Sequence, residues 1–133
     1  MIVVDSSAFL AMLFGEPDAG PIAAAFEEAG QRLASAVTVY ETRTVLLRRA
    51  DKRYLPPFEE LLAWATVEQY PFDRRQGDIA SAAYELFGRG TGHPARLNLA
   101  DCASYALAKS LDAPLLYKGS DFAQTDVRSA LAP

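Results

Sequence analysis

Residues 1–10 read MIVVDSSAFL: a β-branched run, Ile2-Val3-Val4, stops at Asp5, and two serines lead into a second apolar run. A short continuous apolar run is the pattern of a strand buried on both faces, as in a parallel sheet covered by helices. The carboxylate at its end has two readings. Asp5 can cap the helix expected over residues 6–14, SSAFLAMLF, by accepting a hydrogen bond from a free N–H of the first turn. It can also stand where such sheets bind ligands, just beyond the carboxyl ends of the strands.

The rest of the chain repeats the alternation. Gly15 and Pro17 end the first helix, and residues 19–30 predict a second, with Pro21 in its first turn and Gly30 past its end. RLASA, residues 32–36, reads as a short strand, and residues 37–53 as a long amphipathic helix. A helix over 55–66, a strand over 67–72 and a helix over 73–90 follow, then the turn-rich loop TGHPARLN, residues 91–98. Residues 99–111, LADCASYALAKSL, are nearly all apolar and predict a buried helix. Residues 113–122, APLLYKGSDF, read as a strand running into a Gly-Ser-Asp turn. Short strands alternating with helices imply an α/β three-layer sandwich, a parallel sheet flanked by helices.

Nothing in the 133 residues reads as a repeat, a low-complexity tract or a linker, so one domain over 1–133 is expected. No apolar run reaches the roughly 20 residues that span a bilayer. The strand-like start is unlike a secretory leader. Cys102 is the single cysteine, which excludes an intrachain disulfide and suits a reducing cytoplasm. A net charge of −4 argues against a protein that coats nucleic acid nonspecifically. It does not exclude an enzyme whose acids are gathered in one metal pocket.

Four acids are candidates for such a pocket. Asp5 and Asp121 each follow a predicted strand. Asp101 lies three residues after Asn98 at a helix start, the spacing of a capping box, and Asp121 can be an ordinary turn residue. Glu41 lies inside a helix with Val37 and Val45 at i−4 and i+4, so it needs a partner. Arg48 and Arg43 are the candidates on its own helix. If the four converge, each pair ~6 Å apart repels by roughly 2–3 kcal/mol at an effective dielectric of ~20. A cation or raised pKa values must offset that repulsion. An all-oxygen donor set without a His or Cys cluster favours a hard ion, Mg²⁺ or Mn²⁺, and magnesium held by carboxylates and water is equipment for cutting phosphodiesters.

The blocks VVDSSAFLAML, TVYETRTVLL, LNLADCASYALAK and PLLYKGSDFAQTDV, in this order across essentially the whole chain, resemble the PIN-domain ribonuclease toxins of the VapC type. The resemblance implies an Mg²⁺-dependent endoribonuclease that cuts structured RNA, tRNA or rRNA, to arrest translation. It also implies a homodimer and a cognate antitoxin that binds and blocks the enzyme. Carried onto this sequence, Asp5 and Asp101 would coordinate the metal, with Mn²⁺ able to substitute for Mg²⁺. Glu41 and Asp121 match the second and fourth acids, serving the water or a second metal. Ser7 and Ser120 fall where the family keeps polar groups behind the ligands.

The remaining residues read more plainly. His93, in a Gly/Pro loop, is a solvent or structural residue, and Cys102 fills the core. The run from Arg48 to Arg53 is a solvated helix end, with phosphate contact as its alternative. Trp64 and its apolar neighbours belong either to the core or to a surface for a second copy or an antitoxin. Two other functions compete. An aspartyl-nucleophile phosphatase or phosphotransferase also carries an Asp after its first strand, but wants a second acid two residues on, where Ser7 stands. A receiver-like α/β binding module would carry its Asp on a central strand other than the first.

Overall fold

Ile2, Val3 and Val4 form β1, the strand on which the fold is built. The computed structural model describes residues 1–49 and 52–131. β1 pairs in parallel with β2 (Arg32–Ser35) on one side and β4 (Leu115–Leu116) on the other, and β2 pairs with β3 (Glu68–Tyr70). The sheet order is therefore β3-β2-β1-β4. Val3 stands opposite Leu33 and Leu115, so the central strand is enclosed by aliphatic neighbours.

Alternation along the strands divides the core into two. Ile2 and Val4 pack with Phe9, Phe26, Val39 and Phe58, which come from α1 (Ser6–Phe14), α2 (Ala19–Glu28), α3 (Ala36–Arg48) and α4 (Leu55–Trp64). Val3 and Leu33 point the other way, against Ala80, Ala83, Cys102 and Leu107 of α5 (Arg74–Phe87) and α6 (Leu99–Ser110). This is the expected three-layer sandwich. Residues 102–108 of α6 are all buried, as their composition predicts.

Local chemistry sets the helix ends. Gly15 closes α1 in the left-handed conformation (φ 59°), and its N–H reaches the carbonyls of Ala11 and Met12. Asp73 starts α5 by accepting from the Gln76 N–H at 3.0 Å. Because the strands are parallel, their carboxyl ends share one edge. Asp5, the start of α3 and the turn after β4 all lie there.

The helix expected over 37–53 is shorter: α3 ends at Arg48, and a 3-10 turn occupies Lys52–Tyr54. Its last buried residue is Leu46, while Leu47, Arg48 and Arg49 are exposed, so the apolar burial that holds the helix stops there. Ala50 and Asp51, in the middle of the expected basic run, lie outside the described residues. The strand expected over 67–72 keeps three residues, since Pro71 cannot donate to a ladder. A feature absent from the sequence reading extends the other edge: the Leu115 N–H donates to the Arg128 carbonyl, and the Ala130 N–H to the Leu115 carbonyl, both at 2.8 Å. Trp64 is 74% exposed, which removes it from the core. Among the described residues no helix is long and apolar enough to cross a membrane.

Candidate active site

Asp5 sits where β1 turns into α1, with extended backbone, and its side chain is 2% exposed. Oδ2 accepts from the Ser7 N–H at 3.0 Å and from the Ser7 hydroxyl at 2.7 Å. Oδ1 accepts from the Ser104 hydroxyl of α6 at 2.6 Å. Asp5 is thus a helix cap, and it is also a buried carboxylate held from two directions. Ser7 does a second job. Its oxygen accepts the Lys118 N–H at 3.0 Å, tying the β1–α1 turn to the end of β4. Lys118 in turn pairs through its ammonium with Glu16 and, at 3.2 Å, with Asp18, both in the connection between α1 and α2.

Asp101 enters from the first turn of α6. One oxygen, Oδ2, accepts the Asn98 N–H at 2.9 Å, while Asn98 Oδ1 accepts the Asp101 N–H at 2.7 Å. That reciprocal pair is the capping box the spacing predicts. Burial pushes the carboxyl up to about 7; the Asn98 N–H opposes the shift, and the negative charges of Asp5, Glu41 and Asp121 add to it. All four candidate acids therefore share one electrostatic neighbourhood.

Glu41, on α3, is raised above the ordinary carboxylate range mainly by burial, with Asp5 adding to the shift and the Ser6 hydroxyl opposing it. Its Oε1 is buried without a hydrogen-bond partner. The expected arginine partners do not serve it. Arg43 is turned outward onto Glu59, at 2.6 and 3.0 Å, and the ion pairs among the described residues include none between Arg48 and Glu41. Glu59, a residue of the next helix, offers Arg43 an exposed carboxylate that needs no desolvation. Asp121 is exposed just after Gly119, whose φ of 98° lets the chain reverse beyond β4, and its side chain caps nothing. Ser120 is exposed and has no hydrogen bond among the described residues, unlike Ser7.

Two polar residues escaped the sequence reading. Thr38 and Ser104 are wholly buried, and their hydroxyls lie 2.9 Å apart. Each is one helical turn from an acid, Thr38 three before Glu41 and Ser104 three after Asp101, and that i,i+3 spacing is the signal that would have found them. His93 is structural, as expected: its Nδ1 accepts the Ala95 N–H at 3.1 Å, and its ring packs edge-on to Phe87. Cys102 is buried, and burial pushes its thiol up to about 11.

The donor chemistry fits a hard divalent cation. Among the described residues no three His, Cys, Asp or Glu side chains form a ready-made cage. Mg²⁺ needs none, because it keeps several waters and takes only one or two carboxylates. A buried glutamate oxygen without a partner, beside acids whose charges raise the pKa of Asp101, is the local excess of negative charge that such an ion relieves.

The sequence matches the family model described as PIN domain over residues 2–128. It is 44% identical over 130 residues to Ribonuclease VapC28 of Mycobacterium tuberculosis, covering 98% of each chain. The fold is similar to the crystal structure of Mycobacterium tuberculosis VapC20, described as a sarcin-ricin loop cleaving toxin, with a TM-score of 0.77, 20% identity and full coverage of both chains. It is also similar to a toxin-antitoxin complex from Klebsiella pneumoniae, with a TM-score of 0.67 and 16% identity over 92% of this chain and 91% of that one.

Proposed function

The chain belongs to the PIN-domain family, as a ribonuclease toxin of the VapC type, and from that premise we propose that it is an Mg²⁺-dependent endoribonuclease cutting structured RNA to arrest translation. Dependence on a divalent metal is general to ribonucleases of this kind. The observation that carries the reading is the orphaned Oε1 of Glu41 in the same neighbourhood as Asp5, Asp101 and Asp121. Asp5 and Asp101 would hold the ion, and Asp121, exposed at the mouth, would meet the substrate side. When bound, Mg²⁺ supplies electrophilic stabilisation of the charge that develops on the phosphate oxygens. Glu41, raised above the ordinary carboxylate range by burial, is a stronger base than a free carboxylate and would take a proton from the attacking water. Ser7 and the capping box keep Asp5 and Asp101 from turning away as the charge changes.

An aspartyl nucleophile is a poorer reading. That chemistry wants a second acid two residues after the nucleophile, and the position holds Ser7, whose hydroxyl instead donates to Asp5 Oδ2 at 2.7 Å.

A cognate antitoxin and a second copy of the chain are the proposed protein partners. The toxin–antitoxin complex among the similar folds supports the first. Two exposed apolar surfaces support both. One is a groove of about 300 Å³ beside Met12, Phe26, Leu61 and Trp64, and the other a cavity of about 670 Å³ between α5 and α6 that includes Phe72, Tyr84 and Leu99.

The decisive experiment incubates purified, antitoxin-free protein with total tRNA and rRNA and maps new 5′ ends. Discrete cuts with Mg²⁺, lost with EDTA and in Asp5→Asn, are expected. No cleavage with either Mg²⁺ or Mn²⁺ would overturn the proposal.

A further inference from the structure

Thr38, Ser104 and Asp5 form a chain of hydrogen bonds that the four acids alone do not explain. The links are 2.9 Å between the two hydroxyls and 2.6 Å from Ser104 to Asp5 Oδ1, and all three residues are at most 2% exposed. Proton counting gives the chain one direction. Ser104 donates its single proton to Asp5 Oδ1. Ser104 can then only accept from Thr38, and the Thr38 proton is spent there. The chain runs Thr38 to Ser104 to Asp5, crossing from α3 through α6 to the end of β1.

Lone-pair counting shows what the chain controls. A carboxylate has about four acceptor sites. Asp5 fills two on Oδ2 with the N–H and hydroxyl of Ser7 and one on Oδ1 with Ser104. The one left is on Oδ1, the oxygen whose direction Ser104 sets. Thr38 and Ser104 are also each one turn from Glu41 and Asp101, so their mutual bond joins α3 to α6 beside both acids.

We propose that Thr38 and Ser104 are positioning residues: their hydroxyl chain aims the free lone pair of Asp5 Oδ1 and sets the spacing between Glu41 and Asp101. The inference rests on the reading of these acids as a metal-binding catalytic site. Outer partners that orient ligating groups typically change metal affinity or activity by 10–100-fold when removed.

The test uses Ser104→Ala and Thr38→Val, which delete the hydroxyls, with Ser104→Thr and Thr38→Ser, which keep them. Mn²⁺ binding is measured by titration calorimetry on the full chain without RNA, and kcat and KM are measured separately on an RNA it cuts. Ser104→Ala is expected to weaken Mn²⁺ binding about tenfold and lower kcat about 10–100-fold, with KM within about twofold. Thr38→Val should fall between it and wild type, and Thr38→Ser should restore binding. Thr38→Val conserves shape, so it decides the matter even if Ser104→Ala folds poorly. Wild-type Mn²⁺ binding and kcat in Thr38→Val and Ser104→Ala would overturn the proposal. Asp5→Asn run alongside shows which step failed: if it loses both properties the hydroxyl chain alone is refuted, and if it keeps both the metal site falls too.

Discussion

Asn98 and Asp101 hold each other: the side chain of each accepts the backbone N–H of the other, at 2.7 and 2.9 Å. The bond uses only Oδ2 of Asp101, so capping and metal binding do not compete for the same oxygen. Asp101→Asn separates them. If Asp101 serves only the helix, the change costs about 0.3–1 kcal/mol and spares activity. On the proposed chemistry, RNA cleavage falls by orders of magnitude. Melting of the metal-free protein stays level or rises, because one of several repelling charges is gone. Wild-type cleavage by this variant would remove Asp101 from the site.

Magnesium should stabilise the fold. For a dissociation constant near ~1 mM, ~10 mM Mg²⁺ adds roughly 1.4 kcal/mol, a rise of a few degrees in Tm for a domain of this size. Differential scanning calorimetry against NaCl of equal ionic strength checks it. An equal rise in both salts would mean simple screening.

Stability without metal should depend on pH through Asp101. Its pKa is about 7 in the folded chain against an ordinary 3.8. Between those values the native state keeps a proton that the unfolded chain has released, so this group's contribution falls as pH rises from about 4 to about 7. Glu41, also raised, acts in the same direction. EDTA-treated protein should lose Tm between pH 5.5 and 8, and the loss should shrink in Asp101→Asn. An unchanged slope in that variant would contradict the assignment.

Glu41→Gln tests the buried carboxylate. Removing its charge should leave the metal-free protein as stable or more stable and lower cleavage strongly. Arg43→Ala, which breaks the exposed pair with Glu59, should cost at most about 1 kcal/mol and leave cleavage near wild type. Reversed outcomes would return Arg43 to Glu41 as its partner.

The two serines matched to the family's polar positions should behave differently. Ser7→Ala breaks bonds to Asp5 and to the Lys118 N–H, so urea denaturation should show a loss of about 1–3 kcal/mol, with reduced cleavage. Ser120→Ala should change stability by no more than about 0.5 kcal/mol. Equal losses would mean that the Ser7 bridge contributes little.

The strand-then-acid pattern at Asp5, the capping-box spacing at Asp101 and the apolar run of α6 were legible because each is a local signal of a few residues. For Ser104 and Thr38 only the i,i+3 spacing to Asp101 and Glu41 was legible, since their bonding partners lie in other segments: the Ser104–Asp5 bond spans 99 positions. Glu41 was read with arginines on its own helix for the same reason. Sequence spacing shows which side chains share a face, whereas the choice of Glu59 for Arg43 depends on where α4 packs. The length of α3 was overestimated because periodicity continues past Leu46, although burial does not.

The strand order also governs when the protein becomes dangerous to the cell that makes it. β1 leaves the ribosome first, yet one of its two flanking strands is β4, and Asp5 waits for Ser104 and for the Ser7–Lys118 bridge, 111 positions long. At about 5–20 residues per second, on the order of ten seconds separate the synthesis of Asp5 from that of Asp101. During that interval the nascent chain has no assembled centre with which to cut RNA. On the proposed partnership, an antitoxin therefore has to meet only finished molecules.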